Sequence, residues 1–412
     1  MRAGFGARQG ALASPAGIPV VAPSLRFVMP MLDPIHPATS DVLCRSALFT
    51  ARRYGCYLVV ELLAPHRVLS TSTVGGGQRD DVRFLVNHQS CEGQGHQERG
   101  EWINGMGLDA YHYTVCRETG VDPHRTALMG TAANMAYAVH RSAEFEDLRV
   151  DAITTAGVSG NAARAGDPAA WVETDDGWRK VEPYAGTINT ILLVACPLTP
   201  SAHARAVITM TEAKSAALAE LAVPSRYAPV IATGTGTDQF CLAAPLDPAR
   251  KPKDSTSPHV KLGEIIGVAV MESVKEALRW QNGLEASRTR DLFHALGRFG
   301  LTQARAAEGL AALLTEGRYD LLQKNWNAVF HDPGSAAAAH AFAAVLDRIA
   351  FGTLPPGLAN ELLRQQAACL ACSLAAKPDA WPAFRAELGS APDDPVEWVL
   401  RAIALGWDAK WT

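Results

Sequence analysis

Four short segments in the middle of the chain combine Gly, Thr, Asn, Asp and Lys, residue types that can bind or cleave a small molecule. They are TTAGVSGNAARAGD at 154–167, GTINTILL at 186–193, ITMTEAK at 208–214 and ATGTGTDQ at 232–239. A packed core does not need small polar residues at this density, whereas Gly and Asn let the backbone turn tightly. The segments therefore indicate a small-molecule site.

The last of these segments contains the strongest candidates for catalysis. Gly234 and Gly236 let backbone N–H groups turn toward a ligand, as in an oxyanion hole or an anion nest. Asp238 can orient a water molecule or act as a general base, and Thr237 is a candidate nucleophile. The structural alternative is a Gly-Thr turn capped by an aspartate.

Lys214 lies on a predicted helix that begins with Thr199 and Pro200 and runs to about residue 221. At about 100° per residue, Lys214 falls in the middle of an apolar stripe. The stripe contains Val207, Met210, Thr211, Leu218 and Leu221, while Arg205, Thr209 and Glu212 share the opposite face. Burial disfavours the charged form of a lysine, so Lys214 is predicted to be a base of lowered pKa or the partner of Asp238. A side chain that extends past the helix edge is the structural alternative.

The histidines and cysteines give weaker signals. His88 ends an alternating, strand-like run at 82–89 and is the strongest histidine candidate for a direct role, although a hydrogen-bonded structural histidine is more common. Cys369 and Cys372 form the only C-x-x-C, with no second pair at zinc spacing. The sequence contains no G-x-S-x-G and no H-E-x-x-H motif, so neither the serine nucleophile of an α/β-hydrolase nor the zinc site of a zincin is indicated. We expect no metal site.

Nine sequence blocks in this order resemble the adenosylcobinamide amidohydrolase family over about residues 55–282. They are SxxxxGGG (Ser70, Gly75, Gly76, Gly77), NHQ (87–89), TALMGTAA (126–133), TTAGVSGNAARAGD, GTINTILL, CPLT (196–199), RAVITMTEAK (205–214), TGTGTDQ and HVKLGEIIG (259–267). Nine blocks in order are far more specific than any one of them.

The resemblance implies hydrolysis of the amide that joins the aminopropanol arm to the corrin ring of adenosylcobinamide, giving adenosylcobyric acid and aminopropanol in cobamide salvage. We expect no cofactor, because the corrinoid substrate carries its own cobalt. The expected catalytic residues are Asp238, Thr237, Lys214 and His88. Corrinoids carry many amide groups, which polar side chains and exposed backbone can match. The expected substrate-binding residues are Gly76, Asn87, Asn161, Arg164, Thr187, Asn189, Gly234 and Gly236. The alternative function is a non-catalytic corrinoid-binding module with a helical tail that contacts a partner.

Composition excludes several other partner classes. The chain has 412 residues, 48% of them hydrophobic and 19% charged, and a formal net charge of -4 with acids and bases intermixed. No basic region marks a nucleic-acid or membrane partner. The eight cysteines are scattered through apolar segments, which suits reduced thiols in a cytoplasm. A homo-oligomer is compatible with this composition.

The predicted fold class is α+β, followed by an all-α region. Residues 36–283 are predicted to form a mixed or antiparallel sheet covered by helices, because runs rich in Val, Ile and Thr alternate with helical segments. Residues 284–412 show apolar positions at three- and four-residue spacing, which predicts a helical domain of unknown role. Residues 1–35 are predicted to be a disordered leader or the product of a misassigned start.

Overall fold

The computed structural model describes residues 41–90, 102–103, 105–169, 171–175, 177–180 and 186–411. The prediction for residues 1–35 lies outside this range. The strands are β1 (Asp41–Arg45), β2 (Phe49–Tyr54), β3 (Tyr57–Leu62), β4 (His66–Ser70), β5 (Gly77–Arg79), β6 (Phe84–Gln89), β7 (Thr126–Thr131), β8 (Val139–Phe145), β9 (Leu148–Ala156), β10 (Ala162–Ala163), β11 (Trp171–Thr174), β12 (Gly177–Lys180), β13 (Ile188–Val194), β14 (Gly234–Thr235) and β15 (Gln239–Pro245).

Among the described residues, two of the α-helices named here lie between strands and the others follow the last strand. They are α1 (Leu108–Thr119), α2 (Pro200–Glu220), α3 (Lys261–Asn282), α4 (Ala286–Thr289), α5 (Leu292–Leu296), α6 (Gln303–Leu313), α7 (Glu316–Lys324), α8 (Trp326–Phe330), α9 (Pro333–Ala350), α10 (Ala359–Ala375), α11 (Trp381–Glu387) and α12 (Pro395–Ala409). The predicted fold class is confirmed.

The strands form two larger sheets rather than the single sheet expected from the sequence. One has the order β1-β2-β3-β6-β7 and the other the order β5-β4-β15-β13-β9-β8. Neighbouring strands are antiparallel except β6 with β7 and β13 with β15. β3 and β4 are consecutive in the chain but lie in different sheets, because β4 follows Pro65 and pairs with β15.

The two sheets pack face to face and helices cover their outer faces. Apolar side chains such as Leu58 and Met129 of one sheet and Ile191 and Ala243 of the other share one core. Helix α1 packs on the outer face of the first sheet through Val115. Helices α2 and α3 cover the outer face of the second sheet. The result is a four-layer arrangement in which central strands such as β3 and β13 are buried on both faces, whereas β1 and β8 are largely exposed.

Helix α2 begins as its capping residues predict, with the Thr199 hydroxyl accepting a hydrogen bond from the Ala202 N–H at 3.3 Å. The predicted apolar stripe, however, was partly wrong. Thr209 is buried and donates a hydrogen bond to the carbonyl of Thr256 at 2.8 Å, whereas Thr211 is exposed. Four small residues of the helix, Ala202, Ala206, Ala213 and Ala217, form much of the buried face and permit close packing.

Residues 284–411 are helical and contain no strand. They have their own apolar core, which includes Phe330, Phe342, Trp398 and Trp407. We call this region the helical tail. The tail is nevertheless in contact with the rest of the described chain, for example through Arg298, which donates to the Pro229 carbonyl at 2.8 Å. Among the described residues, no helix has the length and apolar character required to cross a membrane.

Candidate functional site

The parallel pairing of β13 with β15 positions the site. Asn189 lies opposite Gln239 in the register, so the segments that precede both strands end at the same edge of the sheet. Gly186 and Thr187 precede β13, and Gly236, Thr237 and Asp238 precede β15. The short pair β10 and β14 brings the segment of Asn161 and Arg164 to the same place, with Ala163 opposite Gly234.

Asp238 is the most heavily hydrogen-bonded side chain of this edge. Its Oδ1 accepts from the Ile188 N–H at 3.0 Å and from the Thr235 hydroxyl at 2.5 Å. Its Oδ2 accepts from the Thr235 N–H at 3.1 Å and from the ammonium group of Lys214. Both charged side chains are mostly buried, with 16% and 17% of the Lys214 and Asp238 side chains exposed.

This geometry decides between the alternatives for Lys214, which is the ion-pair partner of Asp238. All four of these donors belong to the protein, so both carboxylate oxygens are already engaged within the turn and with α2. Asp238 and Lys214 therefore hold the turn before β15 in place. Glu212 is exposed, as the helical angles predicted.

The two glycines of the turn serve close packing. A Cβ on Gly234 would lie 2.7 Å from Nζ of Lys214, and one on Gly236 would lie 2.9 Å from Oδ1 of Asn161. The N–H of Gly236 donates to the backbone carbonyl of Asn161 at 3.2 Å. This N–H therefore bonds within the protein, unlike the ligand-facing N–H expected from the sequence.

Thr237 lies at the centre of a hydroxyl and amide cluster. Its Oγ1 donates to the Gly186 carbonyl at 2.8 Å, accepts from Nδ2 of Asn161 at 3.3 Å and lies in hydrogen-bond contact with Oγ1 of Thr187. Oδ1 of Asn161 accepts from the Tyr227 hydroxyl at 2.5 Å. The sequence-predicted residues Thr237, Thr187 and Asn161 are thus brought together.

Thr237 borders two cavities. The larger, of about 720 Å³, is lined by residues that include Asn161, Arg164, Lys214 and Asp238. The smaller, of about 250 Å³, is lined by Thr187, Thr237 and Gln239 from the second sheet and by residues from the first sheet and α1. Thr237 is exposed, so a ligand in either cavity can reach it.

His88 is buried behind the smaller cavity. Its Nδ1 lies 2.6 Å from the hydroxyl of Tyr111, and its ring stacks on Tyr57 with 4.8 Å between ring centroids. Tyr111, on α1, lines the cavity, and its hydroxyl lies close to Gly130. Tyr111 was not among the predicted site residues, because an aromatic residue in a helix gives no chemical signal without its partner. The surrounding LDAYHYT segment, which also contains His112 and Tyr113, does not indicate that Tyr111 contacts His88.

Asn87 and Asn189 lie inside the protein and line neither cavity. Nδ2 of Asn189 donates to Oδ1 of Asn87 at 2.9 Å and to the Gly130 carbonyl at 3.0 Å, and Nδ2 of Asn87 donates to the Thr155 hydroxyl at 2.8 Å. Both are almost fully buried. Oδ1 of Asn189 is buried without a hydrogen-bond partner among the described residues. These amides connect the two sheets directly behind the cavity wall.

Gly76 allows the backbone to turn back closely against Ser72. Any side chain at Gly76 would overlap the carbonyl oxygen of Ser72. The Ser72 hydroxyl accepts a hydrogen bond from the Leu128 N–H at 3.0 Å and Ser72 lines the smaller cavity. Gly76 thus shapes one wall of that cavity without lining it.

Arg164 lines the larger cavity and also contacts the helical tail. Its guanidinium group lies over the ring of Phe351, 5.2 Å from the ring centroid. Its backbone N–H donates to Oδ2 of Asp167 at 2.7 Å. In the described part of the chain, no group of three or more His, Cys, Asp or Glu side chains could hold a metal ion.

Comparison with known proteins agrees with the resemblance carried by the nine sequence blocks. The sequence model of the family described as adenosylcobinamide amidohydrolase matches residues 43–286, more than half of the chain. The chain belongs to the adenosylcobinamide amidohydrolase family. It is also 39% identical over 237 residues to an uncharacterized protein of Methanocaldococcus jannaschii, an overlap that covers 55% of this chain and 88% of that protein.

The part that matches the adenosylcobinamide amidohydrolase family contains both cavities and all the residues described above except Phe351. The match ends at residue 286, within the first residues of the helical tail. Family membership thus applies to the sheets and their covering helices, and the tail is an additional element that contacts the family region.

Proposed function

We propose that the protein hydrolyses the amide between the aminopropanol arm and the corrin ring of adenosylcobinamide, giving adenosylcobyric acid and aminopropanol, in cobamide salvage or remodelling. Family membership supports the substrate class. The observation that carries the proposal is the smaller cavity, which has Thr237 on one wall and Tyr111 on another, with the buried His88 in contact with the Tyr111 hydroxyl.

The lining of the smaller cavity fits an uncharged arm that contains an amide and a hydroxyl. Hydroxyl and amide side chains line it, and none of its described lining residues is Asp, Glu, Lys or Arg. A volume of about 250 Å³ is too small for a corrin ring but suits a short aliphatic arm. We infer that the arm enters this cavity while the ring lies outside it, toward the larger cavity.

Amide hydrolysis requires a base for the attacking water and an acid for the departing amine. In the proposed reaction, the water oxygen attacks the carbonyl carbon, its proton passes to the Tyr111 oxygen and the phenol proton passes to Nδ1 of His88. The proton then returns along the same path to the amine nitrogen as the C–N bond breaks. The carbon keeps the water oxygen, and the amine leaves with the transferred proton.

Thr237 has one of two roles in this scheme. It either holds the attacking water or attacks the carbonyl carbon itself, in which case water hydrolyses the resulting ester. Its hydroxyl donates to the Gly186 carbonyl, and Oγ1 has no carboxylate or imidazole partner among its described hydrogen bonds. This environment favours the water-holding role.

The direct test is to incubate the purified full-length protein with adenosylcobinamide in water enriched in heavy oxygen. We expect mass spectrometry to detect free aminopropanol and a corrinoid carboxylate that contains one heavy oxygen. Hydroxylamine added during turnover would trap an ester on Thr237 as a hydroxamate. Thr237→Ser is expected to keep activity under either role, whereas Thr237→Val abolishes activity only if Thr237 is the nucleophile.

Binding of adenosylcobinamide without cleavage would overturn the enzymatic proposal. That outcome would support the other class of function, a corrinoid-binding module in which the same cavities hold the ligand and the helical tail contacts a partner. A change in the visible absorption of the corrinoid would detect binding independently of cleavage.

A further inference from the structure

Residues 221–233, between α2 and β14, form one border of the larger cavity. We call this segment the border loop. The Tyr227 hydroxyl donates to Oδ1 of Asn161 at 2.5 Å, and the Ser225 hydroxyl donates to Oδ2 of Asp167 at 2.5 Å. Tyr227, Asn161 and Asp167 all line the cavity. The border loop therefore holds the Oδ1 end of the Asn161 amide, whose Nδ2 end donates to the Gly186 carbonyl and to Thr237.

The helical tail holds this loop at two points. Nε2 of His294 lies 2.8 Å from the carbonyl oxygen of Leu221, at the start of the loop, and Nη1 of Arg298 donates to the Pro229 carbonyl at 2.8 Å. Both contacts use backbone carbonyls of the family region, so they fix the path of the main chain rather than one side chain.

Arg298 is itself firmly held within the tail. Its two terminal nitrogens donate to the two carboxylate oxygens of Asp347 at 2.5 and 2.8 Å, and its side chain is only 5% exposed. The guanidinium plane also lies over Phe299, 4.2 Å from the ring centroid. A bidentate, stacked arginine has a fixed geometry that a lysine cannot reproduce in full.

The tail also contacts a second element of the cavity border, the segment that carries Arg164. Phe351, just after α9, lies under the guanidinium groups of Arg164 and Arg348, at 5.2 and 5.8 Å from its centroid. Arg164 lines the cavity, and Phe351 belongs to the tail. Two separate parts of the tail therefore contact two separate parts of the cavity border.

We propose that the helical tail is a positioning element for the larger cavity, and that Arg298 is the positioning residue that holds the border loop over Asn161. The proposal rests on the proposed function for its kinetic consequence, since it assigns the larger cavity to the corrin ring. The tail then sets the affinity for the ring, whereas Tyr111 and His88 in the smaller cavity carry the proton transfer.

The test compares Arg298→Met with Arg298→Lys in the full-length chain. We expect Arg298→Met to raise KM for adenosylcobinamide between about tenfold and 100-fold, because displacement of positioning groups weakens binding, with kcat changed much less. Arg298→Lys is expected to recover part of the loss, since an ammonium group can still donate to the Pro229 carbonyl. Hydrogen exchange in the border loop should become faster in Arg298→Met.

The matched control is Arg305→Met. Arg305 also pairs with a carboxylate of the tail, that of Asp394. Unlike Arg298, it has no described hydrogen bond to the border loop. This variant should lose an ion pair within the tail, a more exposed one than that of Arg298, while KM and exchange in the border loop stay unchanged. If Arg298→Met fails to fold, Tyr227→Phe tests the same link from the loop side by removing the hydroxyl that donates to Asn161, and it should also raise KM.

An unchanged KM and unchanged border-loop exchange in a folded Arg298→Met variant would overturn the proposal. An equal rise in KM in Arg305→Met would do the same, because it would indicate general loosening of the tail. If the wild-type chain cleaves no adenosylcobinamide, the proposed function fails, while exchange of the border loop and corrinoid binding still test the role of Arg298.

Discussion

Lys214 and Asp238 form an ion pair across the edge of the second sheet, and the Cα of Gly234 lies directly against it. The pair connects the middle of α2 to the turn that precedes β15. Because the same turn carries Thr237, the ion pair fixes the residue that both cavities share. A charged pair thus serves the geometry of a site whose smaller cavity has an uncharged lining.

Loss of Asp238 is expected to be more harmful than loss of Lys214. Asp238→Ala leaves four donors without their acceptor, and we expect it to lower the free energy of unfolding by about 3–5 kcal/mol. Lys214→Met leaves a carboxylate that still accepts from Ile188 and Thr235, and we expect a loss of about 1–3 kcal/mol. Urea unfolding of both variants measures these two losses. A larger loss in Lys214→Met than in Asp238→Ala would contradict the role of Asp238 as the acceptor that holds the turn.

Gly234→Ala should damage the site through steric overlap alone. The added methyl group would meet both Nζ of Lys214 and Oδ2 of Asp238, so the ion pair must shift and move Thr237 with it. We expect a clear loss of turnover of adenosylcobinamide and a lower free energy of unfolding.

Gly267→Ala is the control for Gly234→Ala. A Cβ at Gly267, on α3, has no neighbour within 4 Å, and alanine favours a helix over glycine by up to about 1 kcal/mol. This variant should therefore be as stable as the wild type or more stable, with unchanged turnover. A fully active Gly234→Ala variant would show that the turn before β15 tolerates displacement.

The parts of the fold that depend on local sequence could be predicted. Thr199 and Pro200 marked the start of α2, and the cost of burying an ammonium group made Asp238 a predicted partner of Lys214. Helix packing was harder, because hydropathy favoured Val and Leu, whereas the alanines of α2 form much of its buried face.

The parts that depend on distant pairing could not be predicted. β4 pairs with β15, which lies about 170 residues later in the chain, so no local pattern indicates that there are two sheets. Every residue of β13 is buried, and alternation therefore cannot tell which face Asn189 occupies. For the same reason, Asn87 and Asn189 were assigned to the substrate, although they bond to each other inside the protein.

His203 is predicted to make the protein less stable in mild acid. Burial lowers the pKa of His203 to about 4 from 6.5, and the nearby Arg67 guanidinium adds to this effect. Between these two values the unfolded chain binds a proton that the folded chain does not, so stability falls as pH drops from 6.5 toward 4. One unit of pKa difference corresponds to about 1.4 kcal/mol, so the free energy of unfolding should fall by roughly 3 kcal/mol over this pH interval.

Urea unfolding as a function of pH, in the wild type and in His203→Leu, measures this contribution. The variant should show a shallower fall in stability across the same pH interval, and the same substitution at the exposed His259 controls for removal of a histidine. Identical slopes for the wild type and His203→Leu would contradict the prediction.

Tyr111→Phe is expected to lower kcat by about 100-fold or more, because it removes the hydroxyl that connects the smaller cavity to His88. The ring remains, so packing against Val86 and Val115 should be preserved and the stability should change little. Binding of adenosylcobinamide, measured by corrinoid absorption, should persist. Tyr113→Phe is the matched control, since Tyr113 lies on the same helix with 47% of its surface exposed and does not line the cavity. If Tyr111→Phe turned over substrate as fast as Tyr113→Phe, proton transfer through Tyr111 would be excluded, and the base would have to be sought elsewhere around Thr237.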